Sequence, residues 1–171
     1  MDLATHDIDV VSWLSGSRIA TVAAQVQHLS GGEHEDLAFI TGAFESGSAF
    51  NLVVDRVSPT KIRRTRVLGA RGMLEADTLT GDLFFYENEE VGIEWPATQQ
   101  FRGVSEGDVT RYALRRDEPL RVQLETFLDL VEGRPGADVV TLEQGVEIVG
   151  VAERVLASAQ TGQTLSTDLV N

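Results

Sequence analysis

Apolar positions along the chain follow two spacings, and the changes between them mark out the elements. In residues 2–14, Leu3, Ala4, Ile8, Val10, Val11 and Leu14 gather on one arc when successive residues turn by about 100°, predicting an opening helix that Gly16 stops. Residues 18–28 space their β-branched side chains as a strand does. Residues 36–44 and 49–57, joined by Glu45-Ser46-Gly47-Ser48, read as a β-hairpin, and Ser58-Pro59-Thr60 breaks the chain. Residues 61–69 alternate apolar and long basic side chains, Ala70-Arg71-Gly72 turns them back into 73–77, and 82–86 and 108–115 are further strands. Residues 88–106, which include Gly92, Pro96 and Gly103, read as a loop with room for one strand. A helix then starts at Asp117 as N-cap with Pro119 in its first turn. It carries the stripe Leu120, Leu124, Phe127, Leu128 and Val131 and ends at Gly133. Thr141-Leu142-Glu143-Gln144 is a capping box for a last helix that buries Leu142, Val146, Val149, Ala152, Leu156 and Ala159 before Gly162.

Six to eight strands with helices at both ends predict an α+β fold, with one large, mostly antiparallel, open-faced sheet and the helices packed on one face. The 171 residues suffice for one domain, 1–171. The second sheet face needs cover, and another copy of the chain supplies it most economically, so a homo-oligomer is expected.

Composition narrows the classes of function. The 42% hydrophobic content belongs to a folded protein. The absence of cysteine excludes disulfides and thiolate metal sites and suits a reducing compartment. No apolar run approaches the roughly 20 residues a spanning helix needs, so a cytoplasmic protein without a membrane partner is expected. A formal charge of −13, with Lys61 the one lysine among 14 basic residues, argues against nucleic acid.

The candidate chemistry lies on the first helix. Asp2, His6, Asp9 and Trp13 share a narrow stripe roughly opposite the apolar arc. Imidazole is the side chain best able to move a proton near neutral pH, and a carboxylate one turn away can orient it or a substrate hydroxyl. A solvated helix face with the same residues is common, so spacing alone does not decide. Asp7 falls within the apolar arc and needs a partner there. Glu33-His34-Glu35-Asp36 with His28 could be read as metal ligands, but their spacing repeats no known ligand set and an acidic loop is the simpler reading.

Three stretches together resemble one family. They are the opening Asp2-Leu3-Ala4-Thr5-His6-Asp7-Ile8-Asp9, the run from Ser58-Pro59-Thr60-Lys61-Ile62-Arg63 to Gly69-Ala70-Arg71-Gly72, and the ending with Glu118-Pro119-Leu120, Phe127 and Ser158-Ala159-Gln160-Thr161-Gly162. In this order they resemble the C-terminal, substrate-binding and oligomerisation domain of the Gfo/Idh/MocA oxidoreductases, relatives of glucose–fructose oxidoreductase and inositol dehydrogenase. Only residues 88–106 stand outside the likeness. The resemblance implies NAD(P)-dependent oxidation or reduction of a hydroxyl-bearing carbon on a sugar, sugar nucleotide or cyclitol. It implies that His6 takes the hydroxyl proton as hydride leaves for nicotinamide, that Asp2 holds the substrate or the imidazole, and that Asp9 and Trp13 line the substrate. The run His6-Asp7-Ile8-Asp9 is similar to the branch acting on nucleotide-linked N-acetylamino sugars.

The family's Rossmann half, with its glycine-rich turn and a lysine in Glu-Lys-Pro, precedes this helix. Here no Gly-x-Gly-x-x-Gly follows a strand, and Lys61 sits in a predicted strand. The expectation is therefore a domain inactive alone, a fragment or a gene lacking its first half. NAD or NADP would be held by the missing N-terminal domain of the parent enzyme, with none bound to this chain. Two other readings stand beside it: a non-catalytic dimerisation module, and a small-molecule binder that keeps the pocket without the chemistry.

Overall fold

The structure is a computed structural model and describes residues 2–89, 105–137 and 139–168, with side chains for 4–89, 107–137 and 139–168. In order the elements are α1 (Asp2–Ser15), β1 (Ile19–Gln27), β2 (Leu37–Phe44), β3 (Ala49–Asp55), β4 (Arg64–Gly69), β5 (Gly72–Asp77), β6 (Asp82–Glu89), β7 (Ser105–Tyr112), α2 (Pro119–Val131), α3 (Leu142–Thr161) and β8 (Leu165–Ser166). The α+β class is as expected. The strands, anticipated as one sheet, form two antiparallel ladders of four, β3-β2-β1-β8 and β4-β5-β6-β7. Between β3 and β4 the chain runs through Ser58-Pro59, where proline removes a ladder donor. The chain divides into two compact units, Met1–Pro59 with Asp138–Asn171, and Thr60–Ala137.

The first unit has a conventional core. Val22, Ala24, Val26, Ala38, Ile40, Leu52 and Val54 lie on one face of its sheet, where α1 and α3 pack. Ile8, Val22 and Val155 are wholly removed from solvent. Gly42 leaves space for the Phe50 ring, which a Cβ at that position would meet at 2.6 Å. That ring packs against Phe44 with centroids 5.0 Å apart. Ser158 ties helix to sheet, its buried hydroxyl accepting from the Ala24 amide at 3.0 Å and donating to the Gln163 carbonyl at 2.6 Å. The hairpin Glu45–Ser48 closes with Gly47 at φ 86°.

Both helices of this unit turn differently from the sequence reading. α1 seats Ala4, Ile8 and Val11 in the core and leaves Val10 and Leu14 exposed, because a seam spaced four and three residues apart is narrower than the predicted arc. α3 starts at the expected capping box and ends at Gly162, in left-handed conformation. Its buried face carries Ile148, Val151, Ala152, Val155 and Ser158. Of the predicted stripe Ala152 is buried, Leu156 and Ala159 half-buried, and Leu142, Val146 and Val149 exposed. The helix bears two apolar stripes about 100° apart, and the core takes the one containing Ser158.

The second unit is a meander. Ala70 and Arg71 form the β4–β5 turn between paired Gly69 and Gly72. Gly72 is at φ 153°, where a Cβ would meet the Tyr86 carbonyl at 2.1 Å. One sheet face carries charge: Arg66 Nε donates to Glu75 at 2.6 Å, Arg111 donates to Asp82 at 2.6 Å, and Arg64 lies 3.5 Å from Asp77. The other presents Val67, Leu74, Leu83, Phe85 and Tyr112. Of the 88–106 loop expectation, Asn88 and Glu89 belong to β6 and Ser105 and Glu106 to β7, while 90–104 lie outside the described residues.

The N-cap of α2 is Glu118, not Asp117. Its carboxylate accepts from the Leu120 and Arg121 amides at 3.2 and 2.6 Å. Pro119 holds the preceding residue extended, at φ −70° and ψ 121°, which makes position 118 the cap. Asp117 instead sits 3.3 Å from both Arg115 and Arg121. The predicted α2 stripe forms a helix face, yet none of its residues is buried.

Candidate functional site

Anchoring of α1 through Ala4, Ile8 and Val11 turns the opposite face outward, as the periodicity required. His6 is exposed, Asp9 half-buried, and Trp13 is 67% exposed. From His6 to Trp13 the stripe runs about 10 Å along the axis at ~1.5 Å per residue. Val10 and Leu14 border it, so an imidazole, a carboxylate and an indole emerge from an apolar margin. The Asp2 backbone is helical and its side chain lies outside the described residues. Asp7 is half-buried and partnered, as its position on the packed side demands.

The helix is closed firmly where Trp13 sits. Ser12 Oγ donates to the Ile8 carbonyl at 2.8 Å, and the Gly16 amide donates to the Ser12 carbonyl at 3.1 Å with Gly16 at φ 59°. The outward stripe therefore rides on a rigid element rather than a loop.

Asp36, part of the acidic cluster, has a local structural task. Its carboxylate accepts from the Leu29 and Ser30 amides at 2.8 and 2.6 Å, folding residues 28–36 into a closed loop. Ser30 above all, through side chain and amide, and then Leu29 and nearby His28 hold this carboxyl below the usual aspartate range. Among the described residues no three His, Asp or Glu side chains converge as metal ligands, and no helix is long and apolar enough to cross a membrane.

One concavity was not anticipated from the sequence. It measures about 410 Å³ and opens on the first unit's sheet face turned away from α1 and α3, lined by Ala23, Gln25, Phe39, Thr41, Asn51 and Val53, with Ser158 and Gly162–Thr164 at one end. Among the described residues no ionisable side chain lines it. Its signal was present as the residues alternating with the core positions Ala24, Ile40 and Leu52. His6, Asp9 and Trp13 do not border it.

Among the described residues all six strand pairings are antiparallel. The parallel strand–glycine turn–helix that cradles a dinucleotide pyrophosphate is not formed among the described residues.

The model of an oxidoreductase family's C-terminal alpha/beta domain matches residues 1–167. A search against curated proteins returns no match. Among solved structures, UDP-N-acetylglucosamine 3-dehydrogenase GnnA from Acidithiobacillus ferrooxidans superposes with a TM-score of 0.72 at 22% identity, over 92% of this chain and 46% of that one. The aldose-aldose oxidoreductase from Caulobacter crescentus gives 0.69 at 21% identity, over 95% and 45%. The super-repressor mutant of Gal80p from Saccharomyces cerevisiae gives 0.70 at 16% identity, over 96% and 48%. The chain thus spans a little under half of each of these structures. With the family model covering all but the last residues, on a fold shared with those proteins, the chain belongs to the Gfo/Idh/MocA oxidoreductase family, as its C-terminal alpha/beta domain.

Proposed function

We propose that this domain is the substrate-binding half of an NAD(P)-dependent oxidoreductase acting on a hydroxyl-bearing carbon of a sugar, sugar nucleotide or cyclitol. The observation that carries the reading is the outward stripe of α1, with His6, Asp9 and Trp13 presented from a helix whose other face is locked into the core. The neighbouring dehydrogenase and aldose-aldose oxidoreductase support the substrate class. One neighbour described as NADPH-dependent supports the cofactor class.

In this reading His6 accepts the proton of the substrate hydroxyl. Asp2, one turn earlier, holds the imidazole or the hydroxyl, and Asp9 accepts a second hydroxyl. The indole of Trp13 offers an apolar plate to a sugar ring. The nicotinamide is supplied, in this reading, by a separate nucleotide-binding domain. General-base catalysis of this kind is worth about 10²–10⁴ in rate. In the enzyme that joins this domain to its nucleotide-binding half, His6→Gln is expected to lower kcat at least about 100-fold with KM changed far less. Unchanged kcat in that variant contradicts the assignment.

A second reading, a non-catalytic assembly module, has its own observation. The charge-free groove on the open sheet face exposes Phe39 and Val53 in a chain of net charge −13. A face without like charges is where copies of such a chain can meet with least repulsion. Homo-oligomerisation through this face is compatible with the enzymatic reading. Light scattering of Val53→Asp tests it, with dissociation expected and an unchanged mass contradicting it.

A further inference from the structure

We propose that the pocket where β7 leaves its sheet binds a small oxyanion of the phosphate class. The pocket encloses about 230 Å³ between Gly81, Asp82, Arg111, Tyr112, Leu114 and Arg116. Acidic residues outnumber basic ones 27 to 14 in this chain, yet residues 111–116 hold three arginines and no acid. The local charge therefore runs against that of the whole.

One carboxylate organises the pocket. Arg111 Nη2 donates to Asp82 Oδ1 at 2.6 Å, and Arg116 Nη2 stands 3.9 Å from the same oxygen. Among the described residues two guanidiniums thus face a single negative group, an excess of one positive charge. A guanidinium carries five N–H donors, and Asp82 engages one of those on Arg111. The two side chains remain 63% and 67% exposed, so the other donors are accessible. The Phe84 ring, 5.9 Å from Arg111 Cζ, helps fix that guanidinium in place.

The backbone adds to the same spot. Gly81 is at φ +67°, and a Cβ there would stand 3.3 Å from Arg116 Nε, so glycine gives Arg116 room to lie over the turn. Ladder pairing between β6 and β7 ends at Leu83 with Tyr112. Two forked cations on one pocket suit a tetrahedral dianion, because its oxygens can take charge-assisted hydrogen bonds from both. A monoanionic carboxylate uses fewer of these donors. This site is independent of the α1 reading, sharing no residue with it.

The test is calorimetric titration of inorganic phosphate into the full chain, with ionic strength held constant by sodium chloride. Saturable binding is expected, weakened at least tenfold in Arg116→Gln, partly restored in Arg116→Lys, and unaltered in Arg134→Gln, which removes an exposed arginine elsewhere. Circular dichroism of each variant checks that the fold persists. Competition by glycerol 3-phosphate assigns the site to phosphate esters, and its failure to compete assigns it to free phosphate. Absence of saturable binding, or equal weakening by Arg116→Gln and Arg134→Gln, overturns the proposal.

Discussion

The two units of this chain carry equally clear apolar patterns and use them differently. The unit of Met1–Pro59 and Asp138–Asn171 closes its pattern on itself: two helices cover one sheet face, and every buried apolar side chain named in the core belongs to it. In Thr60–Ala137 the only described residue in the buried class is Gly72. Its apolar sheet face and the α2 stripe of Leu120, Leu124, Phe127, Leu128 and Val131 remain open to solvent or half so. Charge divides along the same line, since eleven of the fourteen basic residues fall within 60–137. A periodic apolar pattern therefore declares that a face must be covered, and leaves open what covers it.

The contrast can be broken by paired substitutions. Ile8→Ala, which opens a cavity in the first unit's core, is expected to cost about 2–5 kcal/mol. Phe127→Ala, of larger volume but on the exposed α2 face, is expected to cost under about 1 kcal/mol. Urea unfolding of both variants checks this, and equal losses would erase the distinction. Next in size is Gly72→Ala. The added methyl would collide with the Tyr86 carbonyl, so a loss on the order of 2 kcal/mol is expected in the second unit. Hydrogen exchange should show it as faster exchange along β5 and β6 with β1 unchanged.

Ser158→Ala sharpens the account of the first unit. It leaves the Ala24 amide and the Gln163 carbonyl without their buried partner, at a cost of about 1–3 kcal/mol. Arg66→Ala, which removes one exposed ion pair, is expected to cost less than about 1 kcal/mol.

Acid should separate the units less cleanly. Asp36 in the first, and Asp77 and Asp82 in the second, are all held below the usual aspartate range. Ser30 is the main cause for Asp36, the Thr80 amide for Asp77 and Arg111 for Asp82. A depressed carboxyl stabilises the fold above its unfolded pKa, and that contribution disappears as pH falls through the folded value. Stability is expected to hold down to the ordinary aspartate range and fall below it. Asp36→Asn should flatten that fall, as measured by thermal unfolding across pH.

Much of this was legible in the sequence because it depends on local chemistry. Gly16 and Gly162 end helices, Gly47 and Gly72 sit at strand reversals, and Thr141 with Gln144 forms both halves of its capping box. The outward direction of His6 and Trp13 followed from periodicity alone. What the sequence concealed depends on packing. α3 has two stripes, and nothing local says that the one bearing Ser158 wins over Leu142, Val146 and Val149. Val10 and Leu14 look like core and instead border the His6 stripe. The division of strands into two ladders depends on which edges meet, which alternation cannot encode. Glu118 was legible after all, since the residue before a proline is driven out of the helical region.

The central claim, that the outer face of α1 meets a sugar-type substrate, is open to one direct measurement on this chain. In a 15N NMR titration with UDP-N-acetylglucosamine, the Trp13 indole N–H and the His6 and Asp9 amides should shift together and saturably, and His6→Gln should weaken the response. Shifts confined to the Phe39 and Val53 face, or none at any concentration, would contradict it.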